Sequence, residues 1–176
     1  MDLALLLLRL TVGLFVAGHG AQKLFGWHGG HGLRETAAWL ASIGFRPGLP
    51  WALTAGILEL GGGLLLALGL FSPIGSLAIA ASMLTAIAKV HWPKVWTATG
   101  GFELPMINLA VAASVAVAGG PGAISVDGAY GIVMPPGTFA VGGLIVILGW
   151  LFALFNSTLA SLSALQSGSP PPASHR

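Results

Sequence analysis

The chain has 176 residues, of which 55% are hydrophobic and 7% charged, with a net charge of +2 and no cysteine. Soluble domains carry roughly 25% charged residues, so this composition excludes a solvent-coated globule and predicts an integral membrane protein, as does a mean hydropathy of +0.89. The lack of cysteine excludes disulfides, thiolate metal ligands and dithiol redox chemistry within the chain, and a small charge without a basic run excludes a nucleic-acid partner.

A helix crosses the hydrocarbon with about 20 apolar residues. The first expected span covers residues 3–25 and carries Arg9, His19 and Lys23. It has no basic n-region and Arg9 interrupts its apolar run, so it is read as a retained span and not as a cleaved signal. A glycine–histidine loop, GWHGGHG, follows over 26–32. Residues 34–43 have the pattern of a short amphipathic helix at the interface, and 44–50 form a turn broken by Pro47 and Pro50. The second span covers 51–70 with Glu59 near its middle. After a tight FSP turn, in which Pro73 suits a first helical turn, the third span covers 74–90. HWPKVWTATGG makes a second polar, aromatic connection. The fourth span, 102–118, starts with Glu103 and contains Asn108. A glycine-rich loop precedes 138–155, which is long enough for a fifth span. From Ser157 the chain turns serine-rich, and the last ten residues, SGSPPPASHR, are expected to be disordered. The loops are short, so neighbours should run antiparallel. The expected fold is an all-α membrane protein: an antiparallel bundle of four transmembrane helices plus a fifth C-terminal span over 1–156, then a polar tail over 157–176.

Such an up-down path puts the loops after the first and third spans on one side. That side collects His19, Lys23, His28, His31, Lys89, His91, Lys94 and Glu103, together with five of the six tryptophans. An aromatic belt accounts for tryptophan at the headgroups; the concentration of charge beside it points to a polar mouth. On a helical wheel, Arg9 and Lys23 lie about 40° apart, His19 is within about 80° of Arg9, and Gly13 and Gly20 share the stripe. A face of small and charged residues belongs against protein. The second span has a matching stripe of Gly56, Glu59 and Gly63. Counted from the mouth at 1.5 Å per residue, Glu59 is about 12 Å deep, His19 about 9 Å and Arg9 about 24 Å. His19 is therefore the expected partner of Glu59, with Arg9 reaching it only between tilted helices. A buried Glu–His pair is either a polar clamp fixing helix register or a proton-handling, ligand-binding pair.

The other polar groups divide similarly. His28 and His31, with His19 or His91, have ligand chemistry, but no CxxC or HExxH pattern accompanies them, and no metal is expected. Lys89, His91 and Lys94 flank a Trp-Pro turn and either snorkel to the interface or meet an anion. Glu103 suits a helix N-terminus. The glycine-rich runs lack phosphate-loop and dinucleotide spacing.

LLLRLTVGLFVAGHGAQKLFGWHGGHG, ILELGGGLLLALGL, and HWPKVW with TGGFELP together resemble the DoxX family of small bacterial and archaeal membrane proteins, over about residues 3–130. The resemblance implies a four-helix membrane bundle, to which 138–155 is an addition, set in the bacterial plasma membrane. It also implies association with redox complexes: a thiosulfate:quinone oxidoreductase, or an assembly with a superoxide dismutase and a sulfurtransferase. The family's motif positions are His19, Gln22, Lys23, Glu59, Glu103 and the HWPK turn. The chain carries no haem or flavin fingerprint, so a redox role here means holding a quinone or anchoring a partner. A quinone carbonyl would need a donor such as His19 or Lys23 beside an apolar slot. The candidate pocket is Arg9, His19, Gln22, Lys23, Glu59, Lys89, His91, Lys94 and Glu103, with no catalytic residue assigned. Three functions stand. One is a quinone-binding or membrane-anchoring subunit of an oxidoreductase, and another is a non-catalytic assembly protein. The third, a small-anion or proton transporter, is disfavoured because only Arg9 and Asn108 lie deep toward the far side. Expected partners are membrane lipids and a soluble oxidoreductase or related subunit. The Lys/Arg excess at the mouth favours a cytoplasmic mouth by the positive-inside rule, but Lys23, Lys89 and Lys94 are also candidate site residues and need not report topology, so the orientation stays open.

Overall fold

Close approach between two glycine-bearing stripes organises the fold, here described from a computed structural model covering residues 1–118 and 120–166. Helix α1 (Asp2–Phe25) lies against α3 (Gly48–Leu68) in the most extensive helix pair of the molecule. A Cβ on Gly13 would stand 2.6 Å from the Gly63 carbonyl oxygen, and one on Gly20 would meet the backbone of Leu60 and Gly56. Gly13 meets Gly63 and Gly20 meets Gly56, so the two helices run antiparallel. Helix α4 starts at Ile74 and reverses again, with Gly75 against Leu66 and Gly62 against Ala78.

Between α1 and α3, helix α2 (Gly32–Ser42) folds over the end of α1 and buries Thr36 and Leu40. At its mouth end α4 widens into one π turn, Ile87–His91, where the Trp92 N–H donates to the Ile87 carbonyl at 2.9 Å. Pro93 then stops the helix. Helix α5 (Glu103–Val117) returns along α4 and touches α1. A short α6 (Val126–Tyr130) sits in the far-end loop, and α7 (Thr138–Gln166) runs parallel to α4, with Gly142 on Leu77.

Four helical stretches are long and apolar enough to cross a membrane: Asp2–Phe25, Gly48–Leu68, Ile74–His91 and Thr138–Ser163. With α5 they make the all-α membrane bundle read from the sequence. The α5 helix has 15 residues, which is about 22 Å at 1.5 Å per residue and less than the hydrocarbon thickness of about 30 Å. The full-length fourth span is thus α7, the C-terminal addition. Helix α7 also continues ten residues into the segment expected to be a polar tail. The hydroxyls of Ser157, Thr158, Ser161 and Ser163 each donate to a carbonyl three or four residues back, which satisfies them without leaving the helix. Ser157 is fully buried, and a Cβ on Gly44 would stand 2.6 Å from its carbonyl oxygen. Residues 167–176, the stretch expected to be disordered, lie outside the described residues.

The main core joins Val12 and Val16 of α1, Leu66 of α3, Ile79 and Met83 of α4, and Ala112 and Val115 of α5. A second cluster at the mouth end joins Leu40, Phe45, Ala52 and Ala153. The far end is tied by charge. Arg9, 1% exposed, donates to the carbonyls of Pro121 and Ile124. Asp2 accepts the Ala123 N–H at 2.9 Å. Buried Asp127 accepts the N–H groups of Phe71 and Ser72 at 2.9 and 2.8 Å.

Candidate functional site

Lys23 in the last turn of α1, Glu59 in the middle of α3 and Ser82 in α4 converge on one point. Glu59 sits between the seam glycines Gly56 and Gly63 and is 3% exposed. Its Oε2 is ion-paired with the Lys23 ammonium, and its Oε1 accepts the Ser82 hydroxyl at 2.7 Å. Both carboxylate oxygens are therefore satisfied, which a buried charge requires. The Lys23 side chain is 29% exposed, and its ammonium has three N–H donors, so donors remain beyond the one given to Glu59.

His19 is not the partner of Glu59. It faces outward, with Nδ1 3.1 Å from the Gln22 side-chain oxygen and its ring edge-on to Phe15 at 5.1 Å. Two geometric reasons account for the correction. His19 is one residue from the seam glycine Gly20, hence about 100° off the contact line. Depth counted from helix ends also misleads, because α1 stops short of the start of α3: Leu24 packs on Gly56, which brings Lys23 level with Glu59.

A cavity of about 640 Å³ opens above this triad. Its boundaries come from α2, the turn at Phe45, α3, α4 and α7. Apart from Lys23, Glu59 and Ser82, its polar members are Thr54, Thr85 and His91, and the other walls are mainly aliphatic and aromatic. Thr54 and Thr85 donate their hydroxyl hydrogens to the Pro50 and Ala81 carbonyls, both at 2.9 Å. Each oxygen keeps acceptor capacity. His91 Nδ1 lies 2.8 Å from the Gly100 carbonyl. A carbonyl only accepts, so Nδ1 is the donor and Nε2 is left for other contacts.

Of the nine residues expected in the pocket, Lys23, Glu59 and His91 line it. Gln22 supports the glycine loop, its amide reaching the His28 carbonyl at 3.4 Å. Glu103 accepts the Thr97 N–H at 3.0 Å, and the Lys94 carbonyl accepts the Phe102 N–H at 3.0 Å, so both shape the 92–102 connection. Lys89 stands in the π turn and does not line the cavity, and Arg9 belongs to the far end of the bundle. His31 meets Glu35 at 3.1 Å on the exposed side of α2. Sequence reasoning missed Ser82 and the α7 wall. Ser82 and Thr85 are an i, i+3 polar pair in an apolar helix, a signal present in the sequence; no local signal tells which helix α7 covers.

The model of the DoxX family matches residues 4–92. No curated protein and no solved structure matches the chain. The matched segment contains Lys23, Glu59, Ser82 and His91, whereas α7 lies beyond it.

Proposed function

The chain belongs to the DoxX family, and from that premise we propose that this multi-pass membrane protein holds a quinone for a redox complex of the bacterial plasma membrane. The observation that carries the reading is the cavity of about 640 Å³ with apolar walls and a Lys23–Glu59–Ser82 floor. Small-molecule sites are typically about 300–1,000 Å³, mostly apolar, with a few placed polar groups. A quinone fits that chemistry: a flat apolar ring for the walls, and a carbonyl oxygen for the free Lys23 donors. It would supply the two-electron chemistry that a chain without cysteine lacks. Glu59 fixes the ammonium, Ser82 holds the other carboxylate oxygen, and the apolar walls suit the ring of a ligand. Electrons would come from a partner subunit docked at the mouth. Arg34, Arg46, Lys89 and Lys94 lie at that end, and by the positive-inside rule this favours a cytoplasmic mouth.

The test is purification in mild detergent followed by mass spectrometry of extracted quinones. We expect near-stoichiometric quinone in the wild type. Loss of one charge-assisted hydrogen bond, about 1.5–3 kcal/mol, should lower retention about tenfold or more in Lys23→Met/Glu59→Gln. His19→Ala should retain it. A quinone-free preparation carrying a stable soluble partner would replace this reading with that of an anchor. Coupled transport of a proton or anion has less support, because Arg9, the deep charge it would use, is occupied by loop carbonyls.

A further inference from the structure

We infer that the cavity fills sideways from the bilayer, through a cleft between α3 and α7, and that its ligand is therefore a membrane-dissolved amphiphile with one polar end. This rests on the reading of the cavity as a ligand site and adds its route of access and the shape of its occupant.

Toward the mouth packed rings plug much of the cavity, beside Trp39 and Val90, which line it and are 38% and 39% exposed. Phe45 is 2% exposed and clusters with Leu40, Ala52 and Ala153. The Trp51 ring lies 5.2 Å from Phe45 and 6.2 Å from Phe152, bridging α3 and α7. Below that plug the two helices separate. Helix α7 is seated along α4, and no comparable seam joins it to α3 among the described residues. Thr54 of α3 and Ile145 and Gly149 of α7 line the cavity and are exposed, Ile145 by 64%. Exposed residues in a cavity wall mark its open sides, and Ile145 is more exposed than Trp39 or Val90 at the mouth. A Cβ on Gly149 would meet nothing within 4 Å, so this glycine leaves the gap unfilled.

The chemistry of the opening selects its traffic. Its edge is largely apolar and faces hydrocarbon, which a charged solute enters at high cost. A neutral head on an apolar tail passes, settles its polar atoms against the Lys23–Glu59–Ser82 floor, and leaves the tail in the cleft and the lipid. A long-tailed isoprenoid quinone has that form. Gly149 belongs to the C-terminal helix, beyond the segment that the family model matches.

The chain has no cysteine, so Ala81→Cys, which lines the cavity, would place a single thiol inside it. In liposomes the probes are an alkyl-chain maleimide dissolved in the bilayer and a sulfonated maleimide confined to water. The alkyl reagent should label Ala81→Cys faster by an order of magnitude. Adding Gly149→Phe should slow that labelling by a similar factor. Gly143→Phe should not, because Gly143 has equally open surroundings on the same helix and does not line the cavity. Three results would overturn the proposal. They are labelling by the sulfonated reagent at an equal rate, no labelling by the alkyl reagent in a protein that labels fully once unfolded, and indifference to Gly149→Phe. The labelling needs no quinone. A quinone-free protein with lateral labelling refutes only the proposed function, and a quinone-loaded protein labelled from water refutes only the portal.

Discussion

At the scale of single residues, the energetics centre on Glu59. Removing the counter-charge of a buried pair while leaving the other charge in place costs about 3–5 kcal/mol, whereas removing both together is close to neutral. Lys23→Met should therefore lower the unfolding midpoint in detergent markedly, and Lys23→Met/Glu59→Gln should recover most of the loss. Ser82→Ala removes one hydrogen bond to the carboxylate and should cost about 1.5–3 kcal/mol. His19→Ala, at an exposed side chain that meets Gln22 and Phe15, should leave the midpoint within about 0.5 kcal/mol of wild type. A large effect at His19 with a small one at Lys23 would restore the Glu–His pair that the sequence suggested.

At the scale of elements, the α1–α3 seam sets everything else. Four glycines, Gly13, Gly20, Gly56 and Gly63, let two helices approach until backbone meets backbone or side chain. Without a hydrophobic force between helices in lipid, such van der Waals packing carries much of the association. Gly20→Leu would drive a side chain into the Leu60 backbone, which cannot yield as a flexible side chain can. Overpacking costs about 1–3 kcal/mol, and more where neighbours cannot shift, so loss of folded protein on size exclusion is the expected outcome. Gly18→Leu, on the same helix with nothing within 4 Å of its Cβ position, should be tolerated. The stripe was legible in the sequence because a helix repeats every 3.6 residues, so residues seven apart share a face whatever they pack against. Helix α7 was legible as an apolar stretch but not in length, because its serines read as polar until their hydroxyls are seen returning to the helix's own carbonyls.

At the scale of the whole molecule, the two ends do different work. The mouth end holds a cavity with a charged floor. The far end is closed by Arg9 on the 121–124 carbonyls and by Asp127 on the 71–72 N–H groups. The Asp127 carboxylate uses both oxygens, so Asp127→Asn keeps at most one of the two bonds and leaves a buried donor facing an amide. That should cost about 1–3 kcal/mol and speed hydrogen exchange at Phe71 and Ser72, while quinone retention at the mouth stays at the wild-type level. Loss of retention in this variant would mean the two ends are coupled, as a transport path requires.

Composition and period alone determined that this chain lives in a membrane, that its first two spans meet through small residues, and that a carboxylate is buried midway along the second. These are local properties: hydropathy sums over a segment, and helical phase is fixed by residue spacing. Tertiary structure alone decided that Lys23 and not His19 neutralises Glu59, that Ser82 completes the pair, that Arg9 serves the far end, and that α7 walls a cavity. Each depends on the axial offset of one helix against another, and that offset is set by packing between segments distant in sequence, which no spacing within a segment records.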